Sequence, residues 1–203
     1  YALQLQTQGS TAYNSGNVAV GYAAGNAITS GIQNTLLGNY AGDALTDADE
    51  NTALGYAALT TDTLGSKSTA IGYSSLANQT YGTTATDSHN TAVGYYSGVN
   101  LTTAQYNTLI GSLAGDAITE GDDNVAVGYG ALTTEDTGKN SVAVGNGALS
   151  AQNTTAGDNN AQNTAVGHGA GNNLTTSIAS TFVGYLAGKN VTTGTVNTFV
   201  GAS

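Results

Sequence analysis

The two histidines are where acid–base chemistry would have to start. His89 stands beside Asp87 and Ser88, which together carry the residue types of a nucleophile, a base and an orienting acid. Those groups must converge from separately supported positions, and three neighbours in one loop do not converge. His168 directly follows a recurring glycine, where equivalent segments carry Tyr, Asn or Ser, and it reads as one member of a stacked row. Acidic side chains gather at Asp47, Asp49 and Glu50, and again at Glu120, Asp122 and Asp123. Calcium takes several oxygen ligands. Neither cluster has the spacing of a calcium loop, and the Gly-Gly-x-Gly-x-Asp nonapeptide is missing. They read as turn acids that keep the surface soluble; calcium enters only if copies of one cluster meet in an oligomer. The sequence thus predicts no catalytic residues, no cofactor and no resident metal, and a protein that is not an enzyme.

Composition narrows the class further. The 203 residues hold no Pro, Cys, Met or Trp, and the net charge is -10, set by 13 acidic residues against Lys67, Lys139 and Lys189. Nucleic acid is bound by neutralising phosphates, which three scattered lysines cannot do. The same sign disfavours anionic membrane surfaces, and no run of 18 apolar residues suggests membrane insertion. The aliphatic residues are mostly small, so a conventional large core is not on offer.

The element that must position these side chains is a repeat. The phrase Thr-Ala-Val-Gly-Tyr and its variants recur, with glycines at Gly21, Gly38, Gly55, Gly72, Gly94, Gly111, Gly128, Gly145, Gly167, Gly184 and Gly201. Their gaps are 17, 17, 17, 22, 17, 17, 17, 22, 17 and 17 residues, a super-repeat of 73. Four residues after the glycine, the first two units of each quartet carry Gly (Gly25, Gly42, Gly98, Gly115, Gly171, Gly188) and the other two carry Leu (Leu59, Leu76, Leu132, Leu149). The chain therefore reads as one continuous array over 1–203, with four-unit blocks anchored near 21–93, 94–166 and 167–203. Leu3 fits the phase of a preceding Leu-type unit, so the array is expected to be cut mid-coil at both ends.

Count each anchor glycine as position zero. Position -1 is Val, Leu or Ile and position -3 is Val or Thr in every unit, a pair two residues apart that marks one face of a strand. Stacking like on like gives an all-β parallel β-solenoid of 17- and 22-residue coils, about 4.8 Å per coil. The expectation is that -1 and -3 point inward and that position -2, always Ala, Leu or Phe, points outward against neighbouring chains or an axis. A strand apolar on both faces predicts a homotrimer over a lone solenoid. A second short strand is expected in the Gly-type units around Ile28, Leu45, Leu101, Ile118, Leu174 and Val191. The Asn that opens most units is expected to take the turn conformation and to form an amide ladder. Tyr22, Tyr56, Tyr73, Tyr95, Tyr129 and Tyr185 share position +1 and read as a packing row.

Residues 140–145, Asn-Ser-Val-Ala-Val-Gly, resemble the head repeat of trimeric autotransporter adhesins. The fuller phrase at 90–103 and 124–134 is similar to repeats of phage tail-fibre proteins. The resemblance implies a left-handed, trimeric β-roll. It also implies an extracellular fibre: the shaft of a virion tail fibre supporting host attachment, or the head of a bacterial surface adhesin. In that setting the partners are the chain itself and a cell-surface receptor or glycan. The five extra residues of the long units, within 77–90 and 150–163, sit on loops where function collects. They nominate Gln79, Tyr81, Asp87, His89, Asn153 and Asp158 for recognition. A Thr-rich ice-binding solenoid is set aside because Thr at -3 is expected to face inward.

Overall fold

The computed structural model describes residues 1–6, 14–154 and 160–203. Its regular elements are all β: β1 (Val18–Val20), β2 (Thr35–Leu37), β3 (Thr52–Leu54), β4 (Gly65–Ser66), β5 (Thr69–Ile71), β6 (Thr86–Asp87), β7 (Thr91–Val93), β8 (Thr108–Ile110), β9 (Val125–Val127), β10 (Val142–Val144), β11 (Thr164–Val166), β12 (Thr181–Val183) and β13 (Thr198–Val200). Eleven of them form one parallel sheet in chain order, from β1 to β13 without β4 and β6. Every step of that sheet pairs like with like: Val18 with Thr35, Thr69 with Thr91, Val142 with Thr164. The chain is a parallel β-solenoid, and among the described residues no helix is long and apolar enough to cross a membrane.

The anchor glycine makes this stacking possible. Gly38 has φ +141, and a Cβ there would come within 2.6 Å of the Gly55 carbonyl carbon and nearer still to its oxygen. Successive anchors therefore pack backbone on backbone, and only a residue without a side chain fits. The Asn four residues earlier ties each turn to the next. Asn34 Oδ1 accepts from the Asn51 backbone N–H at 2.9 Å, while its Nδ2 donates to the Ala48 carbonyl at 2.7 Å. Asn107 and Asn124 repeat the pattern. The amide ladder is thus built chiefly from side chain to backbone, and buried Asn is satisfied on both atoms. The left-handed turn expected of these Asn residues belongs to the residue before each one: Gln33, Glu50, Tyr106 and Asp123 all have φ between 58° and 60°.

The strand faces the opposite way from the sequence expectation. Position -2 points inward: Leu36, Ala53, Ala70, Ala92, Leu109, Ala126 and Phe182 are fully buried. Positions -1 and -3 point outward, with Val20 56% and Leu37 45% exposed. The reason is width. The interior of each turn is narrow, and most strands offer it only an alanine methyl, opposite a second wall of Ala24, Ala41, Ala58 and Ala114. Leu36, Leu109 and Phe182 are the strand exceptions, each filling space left beside a pair of glycines such as Gly25 and Gly42, and the other larger side chains come from the turns. In Gly-type turns Ile28, Leu45, Leu101, Ile118 and Leu174, seven residues after the anchor, fill the core. In Leu-type turns Leu59, Leu76, Leu132 and Leu149, four after the anchor, fill it. The two solutions exclude each other: a Cβ on Gly42 would stand 2.7 Å from Leu45 Cδ1. Leu59 adopts φ 55°, a costly backbone for a leucine, and burial of its side chain offsets that cost.

Among the described residues the second strand expected in the Gly-type units does not form. Its residues keep the predicted register through isolated backbone bonds between turns, among them Thr29 N–H to the Thr46 carbonyl at 3.0 Å and Thr102 N–H to the Thr119 carbonyl at 2.9 Å. A short second sheet forms instead where β4 pairs with β6, at the first long unit.

Candidate functional site

Three features stand out against the repeated background. The first is the outward face of the long sheet. It carries three parallel rows: Thr or Val at -3, aliphatic residues at -1 and aromatic rings at +1. Val20, Leu37, Leu54, Ile110, Val166 and Val183 are all 37% exposed or more. Tyr22, Tyr40, Tyr56, Tyr73 and Tyr95 form an unbroken ladder with ring centroids 5.4, 5.9, 5.1 and 5.6 Å apart. Tyr40 enters from position +2, because position +1 of that unit is Asn39. Further along, His168 stacks on Tyr185 at 5.5 Å, as its place in the row predicts. With eleven strands the face is about 48 Å long and about 13 Å wide, on the order of 600 Å². Contiguous apolar patches above a few hundred Å² mark interaction surfaces.

The second feature is buried. In Leu-type turns, position +7 is not aliphatic: it is Asp62, Gln79, Glu135 and Gln152, each fully removed from water. Gln79 Nε2 donates to Asp62 Oδ2 at 2.6 Å and to Ser68 Oγ at 2.8 Å, and Asn90 Nδ2 donates to Gln79 Oε1 at 2.9 Å. The Gly65 backbone N–H completes the Asp62 site at 2.9 Å. Seventy-three residues on, the network returns: Gln152 to Glu135 at 2.6 Å and to Ser141 at 3.0 Å, Asn163 to Gln152 at 2.9 Å. The difference in length of the acid is compensated. Tyr81 accompanies the shorter Asp62, and Thr154, at Tyr81's place, accompanies the longer Glu135. Burial without a cation holds the Asp62 carboxyl above the ordinary carboxylate range, with the bonds from Gln79 and Gly65 opposing. Burial and the nearby Asp62 charge push the Tyr81 hydroxyl up as well.

The third is a shallow, open groove of about 570 Å³, with mixed polar and apolar lining, that runs along the solenoid axis. It crosses from Asn78 through Asn100, Thr119, Thr134 and Asp136 to Asn153.

Of the residues nominated for recognition, Gln79 and Tyr81 belong to the buried network, where Tyr81 donates to the Ala104 carbonyl at 2.6 Å. They do not face a ligand from the surface. Asp87 is exposed and pairs with Lys67 at 2.5 Å. His89 lies in a left-handed position with φ 51° and stacks on Tyr106 at 5.4 Å, one turn on. Its neighbour Ser88 turns inward and bonds Ser68 at 2.5 Å, so the three residue types at 87–89 do not converge. Asn153 lines the groove, and Asp158 lies outside the described residues.

The acidic clusters serve the backbone. Asp49 Oδ1 accepts from the Ile32 N–H at 2.8 Å and Asp122 Oδ1 from the Gln105 N–H at 2.9 Å, each one turn back. Asp122 also pairs with Lys139 at 2.7 Å. Among the described residues no three His, Cys, Asp or Glu side chains gather as a metal site. The +7 network is what sequence reasoning missed. Its signal is an Asp, Gln, Glu and Gln standing where the Gly-type units have Ile, Leu or Val.

The fold and these surfaces define a repeat-built parallel β-solenoid. Comparison with protein-family models, with curated proteins and with solved structures returned no match.

Proposed function

We propose that this chain is a passive structural segment of an extracellular fibre, most simply the shaft of a virion tail fibre that supports host attachment. In this reading its 17- and 22-residue coils wind as a left-handed roll, and three copies associate side by side through the outward sheet face. The observation that carries the reading is that face: a row of Val, Leu and Ile in which Val20, Leu37, Leu54, Ile110, Val166, Val183 and Val200 are exposed and Ile71, Val93, Val127 and Val144 are half-buried. Its roughly 600 Å² approaches the ~800 Å² that each partner contributes to a standard interface. The charge pattern agrees, since the face itself carries no Lys, Asp or Glu at -3 or -1 to oppose association. The head of a bacterial surface adhesin would use the same architecture. The complete gene product separates the two, by a membrane-anchoring barrel or by a virion-attachment domain. The experiment that tests association is a solution mass, expected at about three times the 20.1 kDa chain.

One observation favours a second reading. Thr35, Thr52, Thr69, Thr91 and Thr108 stand outward in register, so the ground for setting ice binding aside is gone. The bulky -1 and tyrosine rows beside them argue for a protein partner. A monomeric chain showing thermal hysteresis would reverse that preference.

A further inference from the structure

We propose that the axial groove is a binding site for an uncharged, linear oligosaccharide lying along the fibre. This rests on the attachment-fibre reading and assigns to it a ligand class and a place. The groove spans the turns that follow anchors Gly72, Gly94, Gly111, Gly128 and Gly145, so a unit of the 22-residue type stands at each end and three of the 17-residue type lie between. Four steps of about 4.8 Å give it a length of about 19 Å.

Its lining selects the ligand. Asn78, Asn100, Thr119, Thr134, Asp136 and Asn153 present amides, hydroxyls and one carboxylate, alongside apolar surface to which Ala117 contributes. Sugar hydroxyls both donate and accept, which is what a wall of mixed amide and hydroxyl groups complements. The walls are already ordered: Asn78 Nδ2 donates to Asn100 Oδ1 at 3.2 Å, Asn100 Nδ2 to the Asp116 carbonyl at 2.9 Å, and the Thr119 hydroxyl to Asp136. No Lys lines the groove, and Asp136 and the net charge of -10 repel anionic sugars. No aromatic ring lines the groove, so a single site binds weakly. A fibre that presents several copies raises the apparent affinity without new contacts.

The test is saturation-transfer NMR on the folded chain with cellohexaose, maltohexaose and chitohexaose, and a heparin-derived hexasaccharide as the anionic probe. At least one neutral probe should receive saturation and the anionic one should not. Ala117→Trp, which crowds the groove with an indole, should weaken binding at least tenfold; Thr134→Arg, at an exposed lining position, is the second variant should the first misfold. Circular dichroism and solution mass check each fold. No binding by any neutral probe, preference for the anionic probe, or unchanged binding in folded variants would overturn the site. Loss of the site with an intact trimer would leave the fibre reading standing, and binding by a monomer would do the reverse.

Discussion

Gln79 reaches across one turn of the solenoid to place its amide nitrogen 2.6 Å from Asp62 Oδ2, and neither side chain touches water. The bond is charge-assisted and holds the larger part of a buried network together. Replacing Gln79 by Leu removes the donor and leaves the carboxylate short of partners, which costs about 2–3 kcal/mol. Denaturant unfolding should show that loss. A variant as stable as the parent would mean that Asp62 finds its compensation elsewhere.

The same carboxylate sets a pH dependence. Burial raises its folded pKa above the ordinary value of 3.8. The folded state therefore gives up this proton at a higher pH than the unfolded chain does. The stabilising contribution of this group is complete below the unfolded pKa and fades as pH rises through the folded one. Relative to Asp62→Asn, the native protein should gain stability as pH is lowered from 7 toward 4. Melting curves of both proteins at the two pH values measure this difference, and a shift in the opposite direction contradicts it.

Glycines divide into two kinds that a substitution pair separates. Gly55 has φ +140, and a Cβ there would meet the backbone of Gly72. Gly130 has φ +58, a Cβ there would meet nothing within 4 Å, and its counterparts Ala23 and Ala57 hold the same conformation with a side chain. Gly55→Ala should cost roughly 4 kcal/mol or more, and Gly130→Ala about 1 kcal/mol. Equal costs would show that anchor turns do not pack as closely as described.

The stacking itself was legible from residue spacing. Glycine, Asn and the β-branched pair recur because each must meet its own kind one turn away, so periodicity translates directly into register. What spacing could not decide was which strand face is inside. Alternation tells that Leu54 and Thr52 share a face and Ala53 takes the other; it does not say which face meets the core. Size suggested the aliphatic row, whereas the narrow interior takes alanine there in most turns, a Leu or Phe only where glycines make room, and the rest of its bulk from residues such as Leu59 or Leu45. The buried network was hidden for a related reason. Gln79 in a polar stretch reads as surface unless aligned with Leu45, whose place in the turn it occupies.

The central claim is that the outward rows are covered by copies of the same chain. Ile110, 40% exposed at the middle of that face, is the point of attack. Light-scattering mass of the native chain and of Ile110→Asp is the direct measurement. The account predicts about three times 20.1 kDa for the native chain, and a β-structured single chain for the variant, whose new charge would have to be buried at the contact. A native chain that is folded and runs at 20.1 kDa would contradict it.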